Sequence, residues 1–115
     1  MKKLEDRTYE FALRVIKLTK ALPNDRETNH IANQLFRSAT SVAANYRASR
    51  RGKSKKDFIA KLGIVLEEAD ESHFWLTLII DTNLLPQEKV APLQQEASEL
   101  TAIFTTSLNT AKGNP

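Results

Sequence analysis

Apolar residues in this chain recur every three or four positions in four separate stretches, each long enough to be a helix, and turn-forming residues punctuate the gaps. That period puts one apolar stripe on each helix, and each stripe must be buried against another element. No stretch alternates with the period of two that a half-buried strand requires. Amphipathic helices joined by short turns pack against their sequence neighbours in opposite directions. The fold class expected is therefore all-α, an antiparallel up-down-up-down four-helix bundle.

The first helix is expected from about Leu4 to Leu22, with Phe11, Val15, Leu18 and Leu22 as its stripe and Ile16 widening it. Pro23 ends it, lacking an amide and disfavouring helix at the residue before it. The second is expected from about Thr28 to Arg51, on Ile31, Leu35, Val42 and Tyr46. Ser38, Ala39, Ser41, Ala43, Ala44, Ala48 and Ser49 give it a small-residue face that another backbone can approach. Gly52 stands where a helix-ending glycine belongs. Ser54, with Asp57 three residues on, reads as the cap of a third helix running to about Thr82. Phe58, Leu62, Val65, Ala69, Leu76 and Ile79 form its main seam, flanked by Ile59, Leu66, His73 and Ile80. Gly63 inside this helix reads as a close helix contact. The fourth helix is expected from about residue 87 to Ala111, carried by Leu93, Ala97, Leu100, Phe104 and Leu108. Pro92 suggests a start nearer that residue than Pro86. Lys112–Pro115 reads as a frayed tail.

At 115 residues, one domain spanning 1–115 is expected. The absence of cysteine excludes a disulfide framework, a zinc ribbon and thiol catalysis. No apolar run approaches the roughly 18 residues of a membrane span, and the N-terminus has no apolar signal region, so no membrane association and a cytoplasmic location are expected. Charge is divided unevenly along the chain. Residues 1–56 hold 14 Lys and Arg against 5 Asp and Glu, whereas residues 57–115 hold 3 against 9, so a net +3 conceals +9 followed by −6. Such a split fits either a polyanionic partner or two halves that pair with each other.

The densest cluster is Arg47, Arg50, Arg51, Lys53, Lys55 and Lys56, six cations in ten residues at the tip of the second hairpin. Such side chains neutralise phosphates, and each contact makes binding salt-dependent. The competing reading is a solvated helix tip, where the dipole of the second helix also favours Arg50 and Arg51. The tip has no aromatic side chains among the cations and no helix-turn-helix recognition element, so binding is expected to follow the backbone and not the base sequence.

In a hairpin turning near residues 52–53, positions whose numbers add to about 105 lie level, which sets Arg37 opposite Glu68. A structural ion pair there, to Glu67, Glu68 or Glu71, is expected to fix register more than to add stability. Its rival is an acidic face turned toward another subunit. Glu27-x-x-His30 and Asp70-x-x-His73 share the carboxylate–histidine spacing of di-iron bundles, with Glu96 or Glu99 available from the fourth helix. The first helix, however, offers Lys17 and Lys20 at that level, and Glu27 is expected to precede its helix. No metal site and no cofactor are therefore assigned. There is no Gly-x-Ser-x-Gly elbow, no phosphate-binding glycine loop and no evident triad, so no catalytic residue is assigned and the chain is read as a non-enzyme. Phe74 and Trp75 point about 100° apart on a helix, so one of them must leave the core line. Trp75 is the one expected to do so, as an oligomer interface anchor, with simple core filling as its rival.

The string Gln34-Leu-Phe-Arg-Ser-Ala-Thr-Ser-Val-Ala-Ala-Asn45, with Tyr46-Arg-Ala-Ser-Arg50, Asp57-Phe-Ile-Ala-Lys-Leu62, Glu67-Glu-Ala-Asp-Glu71 and Phe74-Trp-Leu76, resembles the bacterial 23S rRNA-intervening-sequence proteins. A more distant similarity is to the accessory protein of diversity-generating retroelements. The resemblance is close over about residues 30–85 and extends to the flanking helices in length and pattern. It implies an up-down bundle, assembly into a ring-shaped homopentamer and an RNA-related role without established enzymatic activity. Together with the basic tip, it suggests RNA or a nucleic-acid–protein complex as partner. The alternative is a protein-interaction scaffold that uses the same basic surface.

Overall fold

Four helices account for nearly all of the residues described, 2–113, in this computed structural model: α1 (Leu4–Lys20), α2 (Arg26–Arg50), α3 (Lys55–Asp81) and α4 (Gln87–Ala111). The tail expected over 112–115 lies partly outside the described residues. Together the helices form a rod of 44 × 23 × 23 Å. Each packs on its sequence neighbours, and α1 closes the ring against α4. The register is antiparallel. On α2 and α3, His30 meets Trp75 while Arg37, two turns further along, meets Glu68.

Local chemistry sets the helix ends. Asp25 caps α2, its two carboxylate oxygens accepting from the Thr28 amide at 2.9 Å and hydroxyl at 3.0 Å. These bonds hold its carboxyl below the ordinary value of 3.8. They also start α2 at Arg26, two residues before the expected Thr28, so Glu27 lies within the helix and not ahead of it. Ser54 caps α3 as expected, accepting from the Asp57 amide at 3.1 Å. The other end of α3 closes with Asn83 at φ 57°, its amide donating to Ile80 O and the Leu84 amide to Ile79 O, a Schellman arrangement with asparagine in the glycine position. The helix α4 begins at Gln87, not near Pro92. Burial explains the difference: Val90 is fully enclosed, which holds the first turn in place although Pro92 leaves the Glu88 carbonyl without its helical partner.

The core is the set of stripes meeting along the rod axis, with Phe11, Val15, Leu35, Val42, Leu62, Leu76, Ile79, Leu100 and Phe104 fully buried. Tyr46 and Phe104 meet across the α2–α4 diagonal, their ring centroids 5.4 Å apart. The small residues of α2 bring α3 close: the buried hydroxyls of Ser38 and Ser72 lie 3.0 Å apart. Gly63 plays no part in a close approach. A methyl group in its place would meet nothing within 4 Å, so the expected contact is absent and that residue faces open space.

Candidate nucleic-acid interface

The hairpin tip lies at the end of the rod where α2 finishes and α3 begins. Gly52 makes the turn tight, because a methyl group there would stand 3.1 Å from both Ser49 O and Asp57 Oδ2. The tip cations divide between two sides. Arg47, Arg51 and Lys53 line an open groove of about 500 Å³ on the outside of the α2–α3 hairpin, with Asp57 and Lys61 on its α3 wall and Ala44 and Ala48 on α2. Arg50 is exposed and is not part of that groove's lining. The Tyr46 hydroxyl, with a smaller contribution from Glu5, raises its pKa above the ordinary guanidinium value. Lys55 and Lys56 are exposed in the first turn of α3.

Beyond Arg47 and Arg51, on the α1 side, stand Glu5 and Asp6, together with Tyr9. These acids repel an anion approaching from that side, whereas the α2–α3 groove presents four cations and one carboxylate. Lys61 is not part of the contiguous run of six, lying more than a turn beyond Lys56 on α3. The level rule for the hairpin sets it opposite Ala44, and that signal would have found it.

Arg37 donates from Nη1 to Glu68 Oε2 at 3.1 Å and from Nη2 to Glu71 Oε2 at 2.6 Å, bridging α2 and α3 on their outer edge. Glu71 Oε2 also accepts from Trp75 Nε1 at 3.2 Å. Trp75 packs partly on the core, edge-on to His30 at 5.9 Å and to Phe74 at 4.9 Å. Phe74 is the aromatic that stands off the core, 56% exposed, where Trp75 had been expected to do so. The Glu71 acceptor and the His30 edge supply Trp75 with partners that Phe74 lacks.

The two α4 carboxylates considered for a metal are engaged by an arginine of α1. Arg7 Nη2 donates to Glu96 at 2.7 Å and to Glu99 at 2.8 Å, with its Nε on Glu96 at 2.8 Å. Arg7, not Lys17 or Lys20, is therefore the α1 residue level with these acids. Asp70 and His73 border a shallow depression with Ser98 and Thr101. Among the described residues no three histidine or carboxylate side chains converge as a metal-holding group.

Among the described residues no helix is long and apolar enough to cross a membrane. Residues 3–106 match the model of the 23S rRNA-intervening sequence protein family. The fold is similar to that of a solved protein of unknown function from the S23 ribosomal protein family of Bacteroides thetaiotaomicron. The two share 33% identity and a TM-score of 0.85 over 92% of this chain and 98% of the other. No curated protein matches the chain.

Proposed function

This chain belongs to the 23S rRNA-intervening sequence protein family, and we propose that it is a non-enzymatic, homo-oligomeric bundle that binds the backbone of structured RNA through its basic hairpin tip. The observation that carries the reading is the placement of Arg47, Arg50, Arg51, Lys53, Lys55 and Lys56 at one end of the rod, all exposed. Phosphate contact by such side chains releases counterions, so affinity falls steeply with salt. In a cyclic oligomer the cluster repeats around one rim and its field adds up. Assembly is supported by large apolar side chains left on the outside, among them Tyr9, Leu13, Phe36 and Phe74.

The test is binding of purified protein to structured RNA and to duplex DNA across a salt series, beside a variant with Arg47, Arg51 and Lys53 changed to Glu. Steep salt dependence that disappears in the variant, with melting unchanged, is the expected result. Equal affinity in the variant, or no binding at low salt, overturns the reading. Partners that survive nuclease treatment would instead point to a protein scaffold on the same surface. A monomeric mass in solution overturns the oligomer.

A further inference from the structure

The tip groove holds a feature that phosphate binding alone does not require: a carboxylate among its cations. Asp57 lies in the wall of the α2–α3 groove with its side chain 37% exposed, and its Oδ1 is 3.9 Å from Lys61 Nζ, beyond hydrogen-bond distance. Among the described residues its carboxylate accepts no hydrogen bond from another side chain. Gly52 packs directly over it, since a methyl group at that position would stand 3.1 Å from Oδ2. The hairpin turn thus shields one edge of the carboxylate, while the other edge opens into the groove beside Arg47, Arg51 and Lys53.

A carboxylate placed against a chain of phosphates costs affinity by like-charge repulsion. It becomes favourable when the ligand also brings a hydroxyl donor. In a nucleic acid the backbone hydroxyl repeated between successive phosphates is the ribose 2′-OH, and DNA lacks it. The four cations fit phosphates flanking such a sugar, and Lys61, at 3.9 Å, offsets the charge of Asp57 without occupying its oxygens. The sides of the tip differ accordingly. Toward α1, Glu5 and Asp6 oppose an anion, so a strand is directed into the groove.

We propose that the groove between α2 and α3 seats one stretch of a ribose–phosphate backbone, with Arg47, Arg51, Lys53 and Lys61 on the phosphates and Asp57 accepting from a 2′-hydroxyl. This site selects RNA over DNA. The inference rests on the polyanion reading above and adds to it the seat, the further cation Lys61 and the discrimination by sugar.

The experiment compares a fluorescein-labelled single-stranded oligoribonucleotide with the oligodeoxyribonucleotide of the same sequence, with helicity and melting recorded for each protein. The wild-type protein should prefer the ribo strand by about tenfold, the order of one charge-assisted hydrogen bond. Asp57→Ala should bring the ratio close to one, whereas Asp57→Asn, which keeps an acceptor oxygen, should retain a preference. The ratio compares two ligands on one protein, so a loss of stability in the variant does not mimic the effect. Lys61→Gln should lower the salt slope by about 0.7, the share of one phosphate on a single strand. Changing Arg50, Lys55 and Lys56 together to Gln removes phosphate contacts of the tip, so it should weaken the ribo and deoxyribo strands by the same factor. Equal affinity for both strands, or a ratio that survives Asp57→Ala, overturns the proposed site while leaving phosphate binding at the tip intact. A ratio lost in the Arg50, Lys55 and Lys56 variant but kept in Asp57→Ala also overturns it. If neither strand binds at low salt although structured RNA does, the site is overturned and the polyanion reading stands; if structured RNA does not bind either, both fail.

Discussion

The seam between α2 and α3 and the seam between α1 and α4 close the same bundle by different means. At the first, small side chains let two backbones approach until Ser38 and Ser72 touch, and Arg37 bridges the outer edge to Glu68 and Glu71. At the second the helices touch least. One end is clamped by Arg7 on Glu96 and Glu99. The other opens into a groove of about 450 Å³, where Arg14, Lys17 and Lys89 rim an apolar floor that includes Leu18, Pro92 and Leu93. A hairpin is drawn together by its own short turn, so its interface can be specified by packing of small residues. The seam that joins the two ends of the chain has no connecting turn, and here a charged clamp holds it at one point.

Enlarging a small residue at each seam should break the symmetry most sharply. Ala39 is fully buried, so Ala39→Leu should destabilise the fold by about 1–3 kcal/mol through overpacking. Ala21 borders the open groove, and Ala21→Leu should stay within about 0.5 kcal/mol of the parent. Paired denaturant titrations check this, and equal costs would show that the groove is already filled.

Removing the clamp comes next. Arg7→Met leaves Glu96, whose side chain is only 15% exposed, without its partner. A loss of about 1–2 kcal/mol is expected, between the values for exposed and buried pairs. The pair also raises the Arg7 pKa above the ordinary guanidinium value, chiefly through its bond to Glu96, so Arg7 stays charged throughout the accessible pH range.

The cap of α2 and the clamp share a pH signature. Asp25 lies below its ordinary 3.8 because it accepts from Thr28, and Glu99 lies below its ordinary 4.5 because of Gln95 first and Arg7 second. A depressed carboxylate stabilises the fold above its unfolded pKa, and that stability is lost as pH falls through the folded value. Melting temperature should therefore drop as the pH is lowered below about 4.5. Arg7→Met should reduce the Glu99 share of that drop and leave the part due to Gln95, and Asp25→Ala should remove its own share while weakening the start of α2. A pH profile unchanged in both variants would contradict this assignment.

Two smaller effects sharpen the contrast. Gly63→Ala should stabilise the protein by up to about 1 kcal/mol, since α3 gains helix propensity at a position with open space around it. Arg37→Gln should cost at most about 0.5 kcal/mol, because the Arg37 side chain is 53% exposed and packing at Ser38 and Ser72 already fixes the register. A larger loss would mean that the α2–α3 seam depends on charge after all.

Both ion-pair systems consist of residues distant in sequence, yet only one was legible in advance. Arg37 and Glu68 lie on a single hairpin, where one turn sets the register and counting outward from it keeps the error small. Arg7 and Glu96 are separated by three turns and two whole helices, so a shift at any of them moves the pairing. The same logic separates the tip residues. The run from Arg47 to Lys56 is contiguous and visible, but Lys61 joins the groove from more than a turn further along α3, and Arg50, inside the run, is not part of the groove's lining. The choice between Phe74 and Trp75 was likewise set by contacts outside their own helix: Glu71 and His30 give Trp75 its partners.

Apolar period and punctuation by themselves determined four helices, their approximate ends and their alternating directions, because those depend on neighbours a few residues apart and on short turns. The start of α2 at Arg26, the survival of the first turn of α4 ahead of Pro92, the space around Gly63 and the division of the tip cations were decided only by the tertiary structure. Each depends on what a side chain meets on another helix or across a turn, and burial there outweighs local propensity.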